Sequence, residues 1–168
     1  MVMEYKTRKS IRLDEYDYSQ NGAYFVTFCT KNRKKLFWKD VGMRIAHPHR
    51  KCGLLSSYGT VVQTAIQNIT KHYPCVFVDN YAIMPNHVHI LLRIDANPTT
   101  PNGCAMRIPT ISTVVNQLKG SVTKQIGFSC WQARFYDHVV RNKADYDEIW
   151  TYIENNPQQW ELDELYEV

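Results

Sequence analysis

The sequence lacks any long apolar run, and its cysteines follow no pairing pattern. No stretch of about 18 apolar residues occurs in the 168 residues, so we expect no transmembrane helix. The basic, polar start is not followed by an apolar stretch, so a signal peptide is not expected. The five cysteines are scattered and never spaced as C-x-x-C, which argues against a disulfide framework and against a thiolate zinc site. We therefore expect a cytoplasmic protein with reduced cysteines.

Basic residues are missing from the end of the chain. All 20 Lys and Arg lie at or before Lys143, whereas residues 144–168 carry eight of the 16 acidic residues. A basic body is typical of proteins that bind a polyanion, although proteins that bind no nucleic acid also carry basic patches. Two basic clusters lie beside aromatic residues, a mixture that suits single-stranded nucleic acid. The residues that we expect to contact nucleic acid are Lys6, Arg8, Lys9 and Arg12 in the first cluster, and Arg33, Lys34 and Lys35 in the second.

The order of the predicted elements indicates a fold class. The length and the 44% hydrophobic content suit one domain with one core, spanning residues 1–168. Strand-helix-strand occurs twice around a hairpin at Pro85-Asn86, which is the βαββαβ pattern of the ferredoxin-like (RRM-like) fold, and one more helix follows. We predict an α+β domain with an antiparallel sheet, helices on one face and an additional C-terminal helix. The predicted strands are 23–30, 75–84, 87–94 and 134–140, and the predicted helices are 57–73, 111–126 and 143–156.

Three segments are expected to lie outside this regular core. Residues 1–22 form a basic N-terminal segment. Residues 95–109 contain three prolines and a glycine, which predicts a flexible loop. Residues 157–168 form an acidic C-terminal tail.

The strand at residues 87–94 has two distinct faces when it is read with a period of two. Its even-numbered residues are all aliphatic and predict packing under helices, whereas His87 and His89 point to the other face together with Arg93, which could meet a phosphate. Two imidazoles side by side on a rigid strand can share one metal ion. They could also be neighbouring polar residues on an open sheet face. A second His-x-His, at residues 47–49, indicates a loop because its central proline cannot pair in a sheet.

The last predicted helix offers a further pair of side chains. Tyr152 and Asn156 are four residues apart and share one side of the helix, beside the apolar stripe. Each also has an ordinary explanation, because Tyr152 could be a half-buried helix tyrosine and Asn156 could end the helix before Pro157. Trp131 could stack on DNA or lie in the core, and no argument from the sequence fixes the task of His138.

Four separated blocks resemble the HUH class of small single-tyrosine transposases. The run Tyr81-Ala-Ile-Met-Pro-Asn-His-Val-His-Ile-Leu-Leu resembles the HUH motif, and residues 24–33, 131–142 and 152–157 resemble the REP-associated tyrosine transposases, a branch related to insertion-sequence transposases. The resemblance implies the ferredoxin-like fold and a nucleophile at Tyr152. It also implies a divalent metal, Mg²⁺ or Mn²⁺, on His87, His89 and Asn156. Insertion-sequence relatives are usually dimers, so a homodimer is an implied state.

The function implied by this resemblance is cleavage and rejoining of single-stranded DNA at hairpins such as repetitive extragenic palindromes, through a 5′-phosphotyrosine. Such an enzyme would be cytoplasmic and associated with the nucleoid. The alternative is a non-catalytic module for single-stranded DNA or RNA, because RRM domains share this sheet and stack bases on its aromatic residues. The histidine-bearing strand argues against that alternative, since its polar face carries no aromatic residue.

Overall fold

The computed structural model describes residues 17–39, 55–96, 108–163 and 165. Three predicted features lie outside these ranges: the first basic cluster, the His-x-His at residues 47–49, and most of the predicted loop at 95–109. No helix within them is long and apolar enough to cross a membrane. The elements in chain order are β1 (Gly22–Cys29), α1 (Ser57–Gln67), α2 (Ile69–His72), β2 (Val76–Ile83), β3 (His87–Ile94), α3 (Ile111–Ile126), β4 (Tyr136–Val139) and α4 (Lys143–Asn155).

The four strands form one antiparallel sheet in the order β2-β3-β1-β4. This is the ferredoxin-like arrangement, so the predicted fold class is confirmed. β3 lies inside the sheet between β2 and β1, with Cys29 opposite His87 at one end and Gly22 opposite Ile94 at the other. The strand that carries both histidines is therefore held on both edges by hydrogen bonds.

The two faces of the sheet are covered differently. The aliphatic side chains of β3, with Tyr24, Val26 and Phe28 of β1, are buried in the core that includes the apolar sides of α1 and α3. The opposite face of β2 and β3 is covered by α4, which begins at an Asn142 N-cap whose side chain accepts from the Asp145 amide at 3.0 Å. The additional C-terminal helix is therefore present, and it lies on the histidine face.

Two helix boundaries differ from the predicted ones. The predicted helix at 57–73 is divided at Asn68 into α1 and α2. The last helix does not stop at Pro157 but continues as a 3-10 turn over Asn156–Leu162. A proline is tolerated at the start of a helical turn because its missing N–H has no partner there. Pro157 therefore redirects the chain, and it brings Trp160 back into the core.

Trp131 lies in the core, where only 7% of its surface is exposed. Its ring packs against Phe28 and Phe37 at centroid distances of 5.0 and 5.2 Å, and its Nε1 donates to the Lys119 carbonyl at 3.2 Å. A base could not stack on this ring unless the core opened. The predicted DNA-binding role of Trp131 is therefore corrected, and the core alternative explains the residue.

The cysteines depart in part from the expectation that all are reduced. Cys29 and Cys130 are free thiols, but Cys75 is disulfide-bonded, so the expectation is wrong for Cys75. Scattered cysteines give no pairing signal in a sequence, because only the fold brings two of them within bonding distance.

Gly59, in the first turn of α1, leaves no room for a side chain. A Cβ there would lie 2.2 Å from the Phe37 carbonyl oxygen, and that oxygen accepts a hydrogen bond from the Ser56 amide at 2.8 Å. The backbone at Phe37 is therefore fixed and cannot easily move away. We expect Gly59→Ala to lower the free energy of unfolding by about 2 kcal/mol in urea titrations, despite the better helix propensity of alanine.

Gly120, inside α3, is the matched control. A Cβ there would meet nothing within 4 Å. Gly120→Ala should raise the free energy of unfolding by about 0.5–1 kcal/mol, because alanine loses less backbone entropy on folding. Equal stabilities of the two variants would contradict the described packing of α1 on Phe37.

Candidate active site

The two histidines of β3 lie side by side and are enclosed. His87 is 0% and His89 is 2% exposed, because α4 and the 3-10 turn after it cover this face. The Nε2 atoms of the two rings are 3.0 Å apart. The pair therefore does not lie on an open sheet face, the alternative that the sequence had left open.

Hydrogen bonds on the far side of each ring fix its orientation. His89 Nδ1 is bonded to Thr27 Oγ1 at 2.7 Å, and His87 Nδ1 donates to Asn86 Oδ1 at 2.7 Å. The Asn86 amide is itself oriented because its Nδ2 donates to the Leu165 carbonyl at 2.9 Å. An amide oxygen can only accept, so the proton of His87 is on Nδ1 and its Nε2 presents a lone pair to the site.

Burial keeps both imidazoles neutral. Loss of contact with water lowers the pKa of His87 to about 3, and the positive charge of Arg33 adds to the effect. Burial also holds the pKa of His89 well below its ordinary value, with a further lowering from His87 and an opposing effect of Asp163. Neutral imidazole is the form that binds a metal ion.

Asp163 is a third candidate ligand that the sequence analysis did not find. Its side chain is 1% exposed, and its Oδ2 lies 3.8 Å from His87 Nε2. The ligand atoms of His87, His89 and Asp163 all lie within 4.8 Å of one another. In the sequence, Asp163 was only one of several acids in the tail, because no spacing rule relates it to β3. The 3-10 turn after Pro157 brings it to the site.

Asn156, the ligand implied by the family resemblance, lies beside Asp163. Its Nδ2 donates to Asp163 Oδ2 at 2.7 Å. Its Oδ1 is buried and accepts no hydrogen bond from any described residue. A buried polar atom left without a partner costs about 1–3 kcal/mol, and coordination of a cation would remove that cost.

Tyr152 connects this cluster to solvent. Its side chain on α4 is 44% exposed, and its hydroxyl lies 3.4 Å from His89 Nε2. The ring meets the Phe25 ring edge-on, with centroids 6.0 Å apart. The structure thus brings together the four residues named from the sequence, with the hydroxyl at the accessible edge of the buried cluster.

The donor atoms suit a divalent cation that prefers octahedral coordination. Two bonds of about 2.1 Å at a right angle place their donor atoms about 3.0 Å apart, which matches the separation of the two Nε2 atoms. Imidazole nitrogens combined with a carboxylate and an amide oxygen are donors that Mn²⁺ accepts readily and Mg²⁺ accepts in part. The residues therefore fit the implied metal.

The other predicted site residues lie at two places. Arg93, on the histidine face, is already paired with Asp79 at 3.1 Å and with Asp95 at 3.8 Å. Arg33, Lys34 and Lys35 follow the end of β1 that pairs with His87, and the charge of Arg33 is felt by that histidine. The second basic cluster therefore lies near the candidate site, and its contact with DNA stays a prediction.

A protein-family model with the description transposase, IS200-like, matches residues 18–156 of the sequence. The chain belongs to the IS200-like transposase family. A Haemophilus influenzae protein of uncharacterized function is 33% identical to this chain over 175 residues, and the match covers 95% of the present chain and 93% of the relative. The REP-associated tyrosine transposase of Escherichia coli K12 is 26% identical over 110 residues, covering 65% of the present chain and 60% of the relative.

A solved structure has the same fold. It is that of a REP-associated tyrosine transposase bound to a REP hairpin, which superposes with a TM-score of 0.58 at 19% sequence identity. The match covers 88% of the present chain and 74% of the other chain. Together with the family match and the Escherichia coli relative, this shared fold confirms the predicted resemblance to REP-associated tyrosine transposases.

The buried histidines make the stability of the metal-free protein depend on pH. In the unfolded chain each imidazole ionises near pH 6.5, whereas the pKa of His87 in the folded state is about 3. The unfolded state thus binds more protons between these values. We expect the free energy of unfolding in chelator to fall below pH 6.5, by up to about 1.4 kcal/mol per pH unit for each buried histidine.

Urea titrations between pH 7 and pH 4.5 measure this slope. His87→Gln should reduce the slope of the free energy of unfolding against pH by the contribution of one buried histidine. Replacing the exposed His72 with Gln should leave this slope unchanged. A His87→Gln variant with the wild-type slope would show that His87 is not buried as a neutral group.

Proposed function

We propose that this transposase cleaves and rejoins single-stranded DNA at hairpin sequences, with Tyr152 as the nucleophile. The observation that carries the proposal is the 3.4 Å approach of the exposed Tyr152 hydroxyl to His89, at the edge of a buried His-His-Asp cluster. The REP hairpin in the solved relative supports a hairpin as the substrate.

The proposed reaction exchanges one phosphodiester for another. The Tyr152 oxygen attacks the phosphorus and gives up its proton, and the bond from phosphorus to the 3′ oxygen breaks as that oxygen takes up a proton. The products are a 5′-phosphotyrosine on the downstream strand and a free 3′-OH on the upstream strand. Because the phosphodiester energy is kept, the reverse attack by a 3′-OH can rejoin strands without ATP.

A bound divalent cation, Mg²⁺ or Mn²⁺, supplies positive charge beside the scissile phosphate and so stabilises the charge that develops there. His87, His89 and Asp163 would hold it, with Asn156 Oδ1 as a further ligand. Thr27 and Asn86 keep the imidazoles oriented for that purpose. Because nitrogen donors suit Mn²⁺ better than Mg²⁺, Mn²⁺ should bind at least as well, and Mg²⁺ would act in the cell through its abundance.

The two basic clusters are the proposed contacts to the DNA backbone. The second basic cluster lies at the His87 end of the sheet, where it can contact the backbone of a strand that reaches Tyr152. The first cluster, in residues 1–22, is proposed to add further backbone contacts. A homodimer, as in the insertion-sequence relatives, is a further part of the proposal that chain-association measurements would test.

Tyr152→Phe should abolish covalent attachment to DNA and leave the affinity for DNA within about twofold, because only an exposed hydroxyl is lost. The measurement uses single-stranded hairpins with randomised flanks, incubated with Mn²⁺ and the protein. A label at the 3′ end should become attached to the protein, whereas a label at the 5′ end should be released in a shorter strand.

Tyr146→Phe is the matched control on the same helix. The Tyr146 hydroxyl donates to Asp79 at 3.0 Å, and burial first and then that bond raise its pKa to about 12. We expect Tyr146→Phe to form the adduct normally. If Tyr152→Phe still forms the adduct and Tyr146→Phe does not, then Tyr152 is not the nucleophile and the proposal is wrong.

Asp163→Ala should weaken Mn²⁺ binding by at least about tenfold, because an enclosed anionic ligand is lost. His87→Ala and His89→Ala should remove measurable binding, and Asn156→Ala should reduce it less than either. Calorimetric titration compares the Mn²⁺ binding of these four variants with that of the wild type. The control is Asp147→Ala, which removes an exposed acid of α4 that pairs with Lys143. Wild-type affinity in Asp163→Ala would exclude Asp163 from the metal site.

A further inference from the structure

The sheet surface beside Tyr152 is only partly covered by α4. That helix packs on β2 and β3, whereas β4 is the outer strand on the opposite side of β1. Tyr136, at the start of β4, is 51% exposed. An exposed aromatic ring next to a catalytic site is a common mark of ligand binding.

The strand register places the β4 side chains on the histidine face. Tyr136 lies opposite Thr27 and His138 lies opposite Phe25, and residues directly opposite each other point to the same face. Thr27 is bonded to His89, and the Phe25 ring stacks on the His89 ring with centroids 5.3 Å apart. The alternation is visible at the residue between them, Asp137, which is buried.

Tyr136 and His138 are therefore two strands away from His89 on a continuous surface. With strands about 4.8 Å apart, the Tyr136 backbone lies roughly 10 Å from the His89 backbone, across the width of β1. Such a separation suits a nucleotide that neighbours the scissile phosphate, while the phosphate itself lies at Tyr152.

One side of α4 forms a wall along this surface. Asp145, Glu148 and Tyr152 follow each other at intervals of three and four residues, which places them on one side of the helix. Contacts fix both ends of the wall, because Asp145 accepts from His138 Nε2 at 2.9 Å and Tyr152 meets Phe25. The strip of sheet surface that runs from Tyr136 across the Phe25 ring to Tyr152 is the candidate groove.

The charges around the groove determine which part of a DNA strand can enter it. Asp145 and Glu148 line the wall and repel phosphates. Arg134 and Arg141, both exposed, flank the two ends of β4. A single strand is therefore best accommodated with its bases towards the sheet and its phosphates outward, near the arginines.

We propose that Tyr136, supported by His138, is a stacking surface for a base of the single-stranded DNA next to the cleaved phosphodiester. The assignment rests on the proposed function, since it takes the DNA substrate from there. It gives His138 a task, because its bond to Asp145 fixes the imidazole on the same sheet face as Tyr136. Stacking is tolerant of base identity, so this surface would position the strand rather than select its sequence.

Tyr136→Ala should weaken the binding of a fluorescein-labelled single strand of about 12 nucleotides by roughly tenfold, and Tyr136→Phe should bind within about twofold of wild type. The salt dependence should be unchanged in Tyr136→Ala because no phosphate contact is lost. Arg141→Ala, in contrast, should lower the slope of log affinity against log salt by about one.

Tyr58→Ala is the control, because Tyr58 is another exposed tyrosine and lies on α1, away from the histidine face. It should bind DNA like the wild type, and thermal unfolding should show that both alanine variants are folded. Wild-type affinity in Tyr136→Ala, or an equal loss in Tyr58→Ala, would overturn the stacking surface. Tighter binding of RNA of the same sequence, with the same dependence on Tyr136, would overturn the assignment to DNA.

The stacking surface and the proposed cleavage chemistry can each fail without the other. Binding that depends on Tyr136, in a protein that never forms a covalent adduct, would refute the cleavage chemistry and support the surface. An adduct whose formation and DNA affinity are indifferent to Tyr136→Ala would support the chemistry and refute the surface.

Discussion

Two neutral imidazole nitrogens face each other across 3.0 Å in a site closed to water, and most of the surrounding structure serves to hold them there. When His87 carries its proton on Nδ1, its Nε2 has only a lone pair to offer, so the short contact needs either the proton of His89 or a shared cation. Burial removes the option of charging the pair, because it lowers the pKa of both rings. A metal ion held between the two rings, as proposed above, would satisfy both nitrogens and would give the buried amide oxygen of Asn156 a partner.

Helix α4, which carries the proposed nucleophile, and the segment after it form one unit beside the histidines. Asn156 begins the 3-10 turn, Pro157 allows that turn to start, and Trp160 returns to pack near His87 with ring centroids 5.8 Å apart. Asp163 then reaches the histidines. A displacement of α4 would therefore move Tyr152 and two candidate ligands together, so the proposed nucleophile and the candidate metal site are coupled through a short stretch of chain.

Local periodicity predicted which side chains of the site share a face, whereas their roles were implied by the family resemblance. Alternation along β3 placed His87 and His89 on one face, and the four-residue spacing on α4 placed Tyr152 and Asn156 together. The order of strands and helices was sufficient for the fold, since few topologies satisfy βαββαβ with short connections.

The parts that could not be predicted depend on non-local contacts. Asp163 reaches the site through a turn whose direction no sequence period encodes. The exposure of Tyr136 depends on the pairing of β4 with β1, which places it at the outer strand. The role of Trp131 could not be predicted, because an indole suits both a core and a stack on a DNA base. Its packing on Phe28 and Phe37 shows that it belongs to the core.

The central claim is that Tyr152 becomes covalently linked to DNA when a divalent cation occupies the histidine site. Mass spectrometry of the adduct tests this directly, because trypsin cuts after Lys143 and no Lys or Arg follows, so Tyr146, Tyr152 and Tyr166 lie in one fragment. Fragmentation then identifies the modified tyrosine. The account predicts a 5′-nucleotide phosphate on Tyr152, formed with Mn²⁺ and absent in chelator. A nucleotide on Tyr146 or Tyr166, or a linkage that forms equally well in chelator, would contradict it.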